Sequence, residues 1–150
     1  MGLFAEGKPA DFDFFIYKDG FSSLPAGGFS NYFGVEKEMQ VSGKIVTNTS
    51  SKGGWFMISG VELGRTKRHA LQVEVMAVSK AGGNLEIWLD DLTNGNGKLI
   101  ATIPVASTGI EMNFKLFTKA LRNVFGHHDV FVKFPGGAEQ AIFIKSIRFK

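Results

Sequence analysis

The chain has 150 residues, which is enough for one domain with a sizeable core, and its composition excludes several classes of protein. Cysteine is absent, which rules out disulfides, thiol nucleophiles and cysteine metal sites. The 17 lysines and arginines are nearly balanced by 14 aspartates and glutamates, so the net charge of +3 does not indicate a nucleic-acid partner. No apolar run approaches the roughly 20 residues that span a bilayer, and no membrane partner is expected.

The N-terminal third predicts short strands separated by polar or glycine-rich loops. Residues 1–11 begin with Met-Gly, and the apolar segment of a signal peptide does not follow, so we interpret them as a leader or linker. We assign residues 12–150 to one module. The strands predicted here, from aromatic and aliphatic runs between turn residues, are 12–17, one or two within 36–46, 55–58 and 61–63.

Three alternating runs between residues 60 and 109 predict the centre of the fold. Apolar side chains occupy every second position in each run, which is typical of a strand with one buried face. The runs are LQVEVMAV, LEIWLDD and KLIATIPV, separated by Ala-Gly-Gly-Asn at 81–84 and Asn-Gly-Asn-Gly at 94–97, which predict hairpin turns. We therefore expect a three-stranded antiparallel meander.

The C-terminal third continues the pattern. Residues 111–121 fit a strand by alternation or, in their later part, a short helix by propensity, and the neighbouring strands favour the strand. Residues 128–134 and 141–149 alternate again, and the latter place Ile142 and Ile144, with Ile147 and Phe149 as further candidates, in the core. With 19 glycines and many short strands, the sequence predicts an all-β protein, an antiparallel β-sandwich of jelly-roll-like form.

The residues offer little support for catalysis, and we predict that the chain is not an enzyme. His127 and His128 are adjacent on a strand and point to opposite faces, so they do not easily bind one ion. Asp90-Asp91 could be a carboxylate pair for glycoside hydrolysis, but it begins a turn, where aspartate is common. No GxSxG, HExxH, P-loop or GxGxxG pattern occurs. The basic run at 65–69 indicates a solvated loop, with a phosphate site as the alternative.

The last two thirds of the chain, from about Trp55, carry four stretches in a characteristic order. These are GGWFMISGVELG, NLEIWLDDLTNGNGKLIATIPVASTG, VFGHHDVFVKF and IFIKSIRF. In this order they resemble a family 6 carbohydrate-binding module, a non-catalytic β-sandwich usually attached to polysaccharide hydrolases. The resemblance implies a polysaccharide or oligosaccharide partner, an attached glycoside hydrolase, and a secreted or cell-surface location as part of a larger chain.

The resemblance also implies a sugar site at the loop end of the sandwich. There, two aromatics hold the apolar face of a sugar ring and an asparagine bonds its hydroxyls. This sequence departs from that pattern: Glu111 stands where the family has tryptophan, Phe143 stands where it has asparagine, and residues 47–51 contain no aromatic. We therefore expect this site to have lost its platform and its asparagine.

A structural calcium, which the resemblance implies, is expected to be absent. The family supplies carboxylates from its first and last strands, and calcium requires several hard oxygen ligands. Here Lys145 aligns with the last-strand aspartate, and Tyr17 and Lys18 stand where a glutamate is expected. We predict no metal site and no cofactor.

Some members of the family bind sugar on the concave face of one sheet, and this face is the better candidate here. Trp88 shares the outward side of its strand with Glu86, and Gln72 and Glu74 lie on the outward side of the preceding strand. An aromatic beside carboxylates and an amide is the chemistry of sugar binding. The alternative is that Trp88 packs under a loop or another domain.

Two further aromatics are candidates for sugar contact. Trp55 begins a predicted strand, where a core position is the alternative, and Tyr32 lies in a loop with Asn31, Phe33 and Gly34, where anchoring in the core is the alternative.

Together these observations predict a non-catalytic carbohydrate-binding module that targets an attached or partner glycoside hydrolase to a polysaccharide. The alternative is a structural sandwich that has lost sugar binding and packs on a catalytic domain or a protein partner. An open groove rimmed by carboxylates around Trp88 would favour the first, and a flat apolar patch there would favour the second.

Overall fold

The computed structural model describes residues 17–93, 95–109, 113–138 and 140–150. Within them lie thirteen strands and one 3₁₀ turn, Ala26–Gly28. The strands are β1 Lys18–Asp19, β2 Leu24–Pro25, β3 Asn31–Phe33, β4 Val35–Gln40, β5 Gly43–Asn48, β6 Gly54–Glu62, β7 Gly64–Arg65, β8 Arg68–Ser79, β9 Gly83–Leu89, β10 Lys98–Val105, β11 Lys115–Val124, β12 His127–Phe134 and β13 Ile142–Phe149.

The strands form two sheets that pack face to face, which confirms the predicted β-sandwich. Sheet A has the order β1-β6-β12-β9-β10, with β3 paired to the first half of β6. Sheet B has the order β11-β8-β13-β5-β4, with β2 paired to β13 and β7 to β8. Every pair is antiparallel except β1–β6. None of the described elements is a helix long and apolar enough to cross a membrane.

The core lies between the sheets and follows the alternation of the sequence. In β9, Leu85, Ile87 and Leu89 are buried and face the other sheet. In β13 the four predicted core residues, 142, 144, 147 and 149, are all buried in the main core. A register shift between Ile144 and Ser146 supplies the extra residue that returns Ile147 to the core side.

The predicted three-stranded meander is wrong in one respect, because β8 and β9 belong to different sheets. The β9–β10 hairpin forms, with Leu85 opposite Ile103. However, both edges of β8 are occupied within sheet B, by β11 and β13, so no edge remains for β9. The 80–82 connection therefore crosses from one sheet to the other instead of closing a hairpin.

Several strand boundaries also differ from the prediction. The two short strands expected at 55–58 and 61–63 are one strand, β6, which continues through a bulge at Gly60 (φ +70°). The 36–46 region is a hairpin of β4 and β5, and the ambiguous 111–121 region is a strand from Lys115 onward. The leader at 1–11 and nearly all of the first predicted strand, 12–16, lie outside the described residues.

Candidate functional site

Four aromatic side chains lie in a row across the outer face of sheet A. Phe33 of β3 is opposite Trp55 of β6, and Phe131 of β12 is opposite Trp88 of β9. Opposite residues in an antiparallel pair share a face. The rings of Trp55 and Phe131 join the two pairs, with centroids 5.4 Å apart. We call these four residues the aromatic strip.

The strip becomes less exposed along its length. Phe33 is 70% exposed, Trp55 and Phe131 are half-buried, and Trp88 is only 6% exposed. On β6, β9 and β12 the neighbouring apolar residues, such as Phe56, point the other way and are buried in the core. The strip therefore offers solvent an aromatic surface at its Phe33–Trp55 end.

Trp88 lies on the outward side of β9, as its alternation predicts, but it is not an open platform. Its Nε1 donates a hydrogen bond to Oε2 of Glu86 at 2.9 Å, and the Lys133 Nζ lies 3.4 Å from the same oxygen. That ammonium is 5.7 Å from the Trp88 ring centroid. The indole and carboxylate already have partners, so neither the open groove nor the flat apolar patch forms around Trp88.

A groove of about 490 Å³ opens beside the exposed end of the strip. Phe33, Trp55 and Lys133 line one side, and the loop 49–53 lines the other. The backbone N–H of Thr49 donates to Gly34 O at 2.9 Å, which holds the loop against β3. Gly53 (φ +89°) allows the close approach to β12, since a Cβ there would overlap the Phe134 carbonyl oxygen.

This groove combines the two kinds of group that a saccharide needs. The aromatic rings offer apolar faces, and Thr49, Ser50 and Lys52 bring two hydroxyls and an ammonium to its lining. Within the part of the chain that the structure describes, these three side chains make no hydrogen bond. They are therefore available to a ligand.

Gln72 and Glu74, expected beside Trp88, lie in the other sheet, which corrects that part of the predicted site. The Glu74 carboxylate is 4% exposed and binds the ammonium of Lys150 at 2.9 Å and the guanidinium of Arg148 at 2.7 Å. Gln72 Nε2 donates to the same carboxylate at 3.2 Å. The hydrogen bonds from Lys150 and Arg148 outweigh burial and hold the pKa of Glu74 below its ordinary value. The cluster joins strands β8 and β13, so its role is to stabilise sheet B.

Tyr32 is likewise placed away from the strip. It is opposite Phe56, so it lies on the reverse face of β3 from Phe33. Its ring packs against Phe29 at 4.8 Å and is 56% exposed. Of the predicted candidates, the structure brings together Trp88, Glu86 and Trp55.

The sequence also contained a signal for the residues that were missed. Phe131 and Lys133 alternate with the core residues Val130 and Val132, which places them on the outward side of β12. Phe33 follows the predicted Tyr32 directly, so its side chain lies on the opposite face of β3.

At the loop end, the position of the family's asparagine is filled by a buried ring. Phe143 is 9% exposed and packs with Ile45 and Val78, with Phe114 against the same cluster. This small apolar cluster lies on the outer side of sheet B. Glu111 lies outside the described residues. The loss of the loop-end site stays a prediction, and Phe143 gives it a physical reason, because a buried ring cannot bond sugar hydroxyls.

The residues at the implied calcium positions do not fit that ion. The Lys145 Nζ lies 5.7 Å from the Phe114 ring centroid, and the Lys18 Nζ is 3.5 Å from Ser30 Oγ. An ammonium group at either position repels a divalent cation, and the two lysines lie in different sheets. Among the described residues, no group of three or more histidines, aspartates and glutamates could hold a metal ion.

The suspected catalytic groups hold strand ends together. Oδ2 of Asp90 lies 2.8 Å from Nδ1 of His128, whose Nε2 is 2.7 Å from the Phe125 carbonyl oxygen. Asp91 Oδ1 accepts two backbone N–H groups of its own turn, and Asp129 Oδ1 accepts the N–H of Gly60. These contacts connect β9, β12 and β6.

Comparison with known proteins gives consistent results. The model of the carbohydrate binding module (family 6) matches residues 26–150, which begins earlier than the resemblance near Trp55. A family 6 carbohydrate-binding module from Clostridium cellulolyticum, solved with xylose, has a TM-score of 0.78 and 27% identity. The match covers 89% of this chain and 99% of that one.

Two further matches are to longer proteins that share a name and a species. The arabinoxylan arabinofuranohydrolase of Bacillus subtilis is 28% identical over 103 residues, which are 69% of this chain and 19% of that protein. A structure of the glycoside hydrolase family 43 arabinoxylan arabinofuranohydrolase from Bacillus subtilis, in complex with cellotetraose, has a TM-score of 0.79 at 21% identity, over 97% of this chain and 30% of that one. The chain thus spans about a fifth of the curated relative. Since the family model covers most of the chain, the protein belongs to the family 6 carbohydrate-binding modules, which are non-catalytic.

Proposed function

We propose that this module binds a polysaccharide through the exposed end of the aromatic strip, at the groove between Phe33, Trp55 and the loop 49–53. The observation that carries the proposal is the pairing of two outward aromatics with hydroxyl and ammonium groups that have no hydrogen-bond partner in the described chain. The apolar C–H face of a pyranose stacks on an aromatic ring, and the sugar hydroxyls form hydrogen bonds with the polar groups.

The geometry suits a glycan chain better than an isolated sugar. Three rings of the strip, Phe33, Trp55 and Phe131, reach solvent, and they lie on three adjacent strands that are roughly 4.8 Å apart. A row of this length spans more than one sugar ring. Several weak contacts along a polymer add up to useful retention on an insoluble substrate.

We further propose that the module belongs to a larger, secreted polysaccharide-degrading protein and holds a glycoside hydrolase near its substrate. The support is the arabinofuranohydrolase relative, of which the matched part is a small fraction. Tethering raises the local concentration of the enzyme without adding catalytic groups.

The test is binding of wild type, Trp55→Ala and Phe33→Ala to xylan and to soluble β-1,4-glucan, by affinity electrophoresis and calorimetry. The relatives' ligands, xylose and cellotetraose, suggest these polymers. Tyr32→Ala is the matched control, because it removes an exposed aromatic from the reverse face of the same strand. We expect each strip variant to bind roughly tenfold more weakly and the control to bind as wild type.

Equal binding by all four proteins would place the sugar elsewhere. Absence of binding by wild type to a wider glycan panel would favour the structural sandwich, with the exposed Phe33 as a protein contact.

A further inference from the structure

A second groove, of about 810 Å³, lies where β6 ends, at the opposite end of that strand from the loop 49–53. Two arginines, Arg65 and Arg68, and two aromatics, Tyr17 and Phe21, are among the residues that line it. We call it the arginine groove. It shares no lining residue with the groove beside the aromatic strip.

The two arginines are held side by side. They are directly opposite each other where β7 pairs with β8, so both side chains leave the same face of a tight hairpin. Two like charges in this position destabilise a strand pair. Across the described ranges, no carboxylate oxygen lies within 4.0 Å of either guanidinium. In the part of the chain that the structure describes, neither guanidinium is held in an ion pair, so both are open to an anion.

The backbone keeps this pair in place. Leu63 N donates to Gly126 O at 2.8 Å, Gly126 N donates to Gly64 O at 2.8 Å, and Ala70 N donates to Leu63 O at 3.1 Å. Gly64 has φ +90°, and a Cβ there would overlap the carbonyl oxygen of Arg68. The hairpin is thus fixed to the turn between β11 and β12 before any ligand arrives, which lowers the entropy cost of binding.

The two carboxylates in the groove are engaged elsewhere. Asp19 Oδ1 accepts the N–H of Phe21 at 3.0 Å and its Oδ2 accepts the Ser22 hydroxyl at 2.8 Å. Glu62 Oε1 accepts the N–H of Gly64 at 3.1 Å. Both carboxylates keep their charge but are held in these local turns, and within the described residues neither forms an ion pair with Arg65 or Arg68.

The aromatic lining indicates what kind of anion fits. Tyr17 is 54% exposed and Phe21 is 36% exposed, so each presents ring surface beside the guanidinium groups. A planar fork of N–H donors matches a carboxylate or sulfate oxygen pair, and an aromatic ring matches the C–H face of a sugar. We propose that the arginine groove binds an anionic saccharide unit, carrying either a carboxylate or a sulfate ester. This adds a charged subsite to the proposed function and rests on it only for the choice of a saccharide.

The experiment compares acidic polymers with neutral counterparts by calorimetry. Polygalacturonate and its fully methyl-esterified form test the carboxylate, and a sulfated galactan and its desulfated form test the sulfate. The variants are the double substitution Arg65→Gln/Arg68→Gln and, as the control, Arg122→Gln, which changes an exposed arginine of β11 that does not line the groove. We expect the double variant to bind the acidic polymer about tenfold more weakly or worse, because charge-assisted hydrogen bonds are lost.

Arg122→Gln should bind the acidic polymer as wild type does, and raising NaCl from about 50 mM to about 300 mM should weaken binding. Retained binding by the double variant, an equal loss in Arg122→Gln, or no binding of either acidic polymer by wild type would each overturn the proposal. None of these outcomes alters the result with neutral glycans and Trp55→Ala, so the two proposals fail separately.

A measurement without ligand guards against a purely structural role. Removing two opposed like charges should leave the unfolding temperature of the double variant equal to or above that of wild type at low salt. A marked decrease would mean that the arginines stabilise the fold, and the proposal would be overturned.

Discussion

Trp88 and Glu86 form a hydrogen bond along the outer face of strand β9, with the indole Nε1 donating to Oε2 at 2.9 Å. The two residues are separated by one position, so they share a face, and Lys133 of β12 completes the cluster from the neighbouring strand. A tryptophan with its polar group satisfied and its ring covered acts as a support for the strip. We therefore expect sugar to contact the more exposed rings of the strip, Phe33 and Trp55.

This relationship makes Trp88→Ala a stability variant. We expect the free energy of unfolding in urea to decrease by about 3–5 kcal/mol, the usual effect of removing a buried tryptophan. Trp88→Phe keeps most of the packing and should lose clearly less. Wild-type stability of Trp88→Ala, together with lost glycan binding, would contradict this account and restore Trp88 as the platform.

The buried ring at the loop end leads to a second prediction. Phe143→Asn places the family's residue at its aligned position, but here the side chain packs with Ile45 and Val78. The substitution removes the buried ring and places an amide in apolar surroundings, where its desolvation costs free energy. We therefore expect about 3 kcal/mol of destabilisation and no gain in glycan binding. Urea unfolding and calorimetry measure both quantities.

Phe143→Leu is the control, with an expected loss of about 1.5 kcal/mol. If Phe143→Asn folded normally and bound sugar more tightly than wild type, the loop end would be a latent site instead of a filled one.

Much of the fold was predictable because strand alternation is a local property. The buried side of β9 and β13 follows from every-second-residue patterns, and the hairpin of β9 and β10 follows from its turn. Which sheet a strand joins is not local. It depends on which edges are free, and both edges of β8 are occupied by strands that come later in the chain.

The candidate site was predictable in kind and only partly in position. Alternation gives the side on which Trp88 lies, and that was correct. The extent of its burial depends on Phe131 and Lys133, which are more than 40 positions away and meet Trp88 only through strand pairing. The separation of Gln72 and Glu74 from Trp88 has the same cause, because it follows from sheet membership.

Calcium gives a third test. The resemblance implies carboxylate ligands at positions 18 and 145, where this chain has lysines, so we expect about millimolar calcium or EDTA to change the unfolding temperature by no more than about 1 °C. A ligand present at 100 times its dissociation constant would add about 2.7 kcal/mol, which such a measurement detects easily. A calcium-dependent rise of several degrees would show that the ion has ligands other than those aligned here.

Glu74 leads to a prediction about pH. The hydrogen bonds from Lys150 and Arg148 hold its pKa in the folded protein below the ordinary value, which is about 4.3 in an unfolded chain. The unfolded state therefore binds more protons at a pH between the folded and unfolded pKa values. The contribution of Glu74 to stability is complete above the unfolded pKa and is lost as pH falls through the folded pKa.

We expect the free energy of unfolding of wild type to decrease as pH falls from about 5 to about 3. Glu74→Gln should be less stable at pH 7 by about 1–2 kcal/mol, since it weakens the hydrogen bonds to two partly exposed cations, and should show a shallower acid decline. Glu38→Gln on β4 is the control and should keep the wild-type profile. An unchanged acid decline in Glu74→Gln would assign the pH dependence to other carboxyl groups.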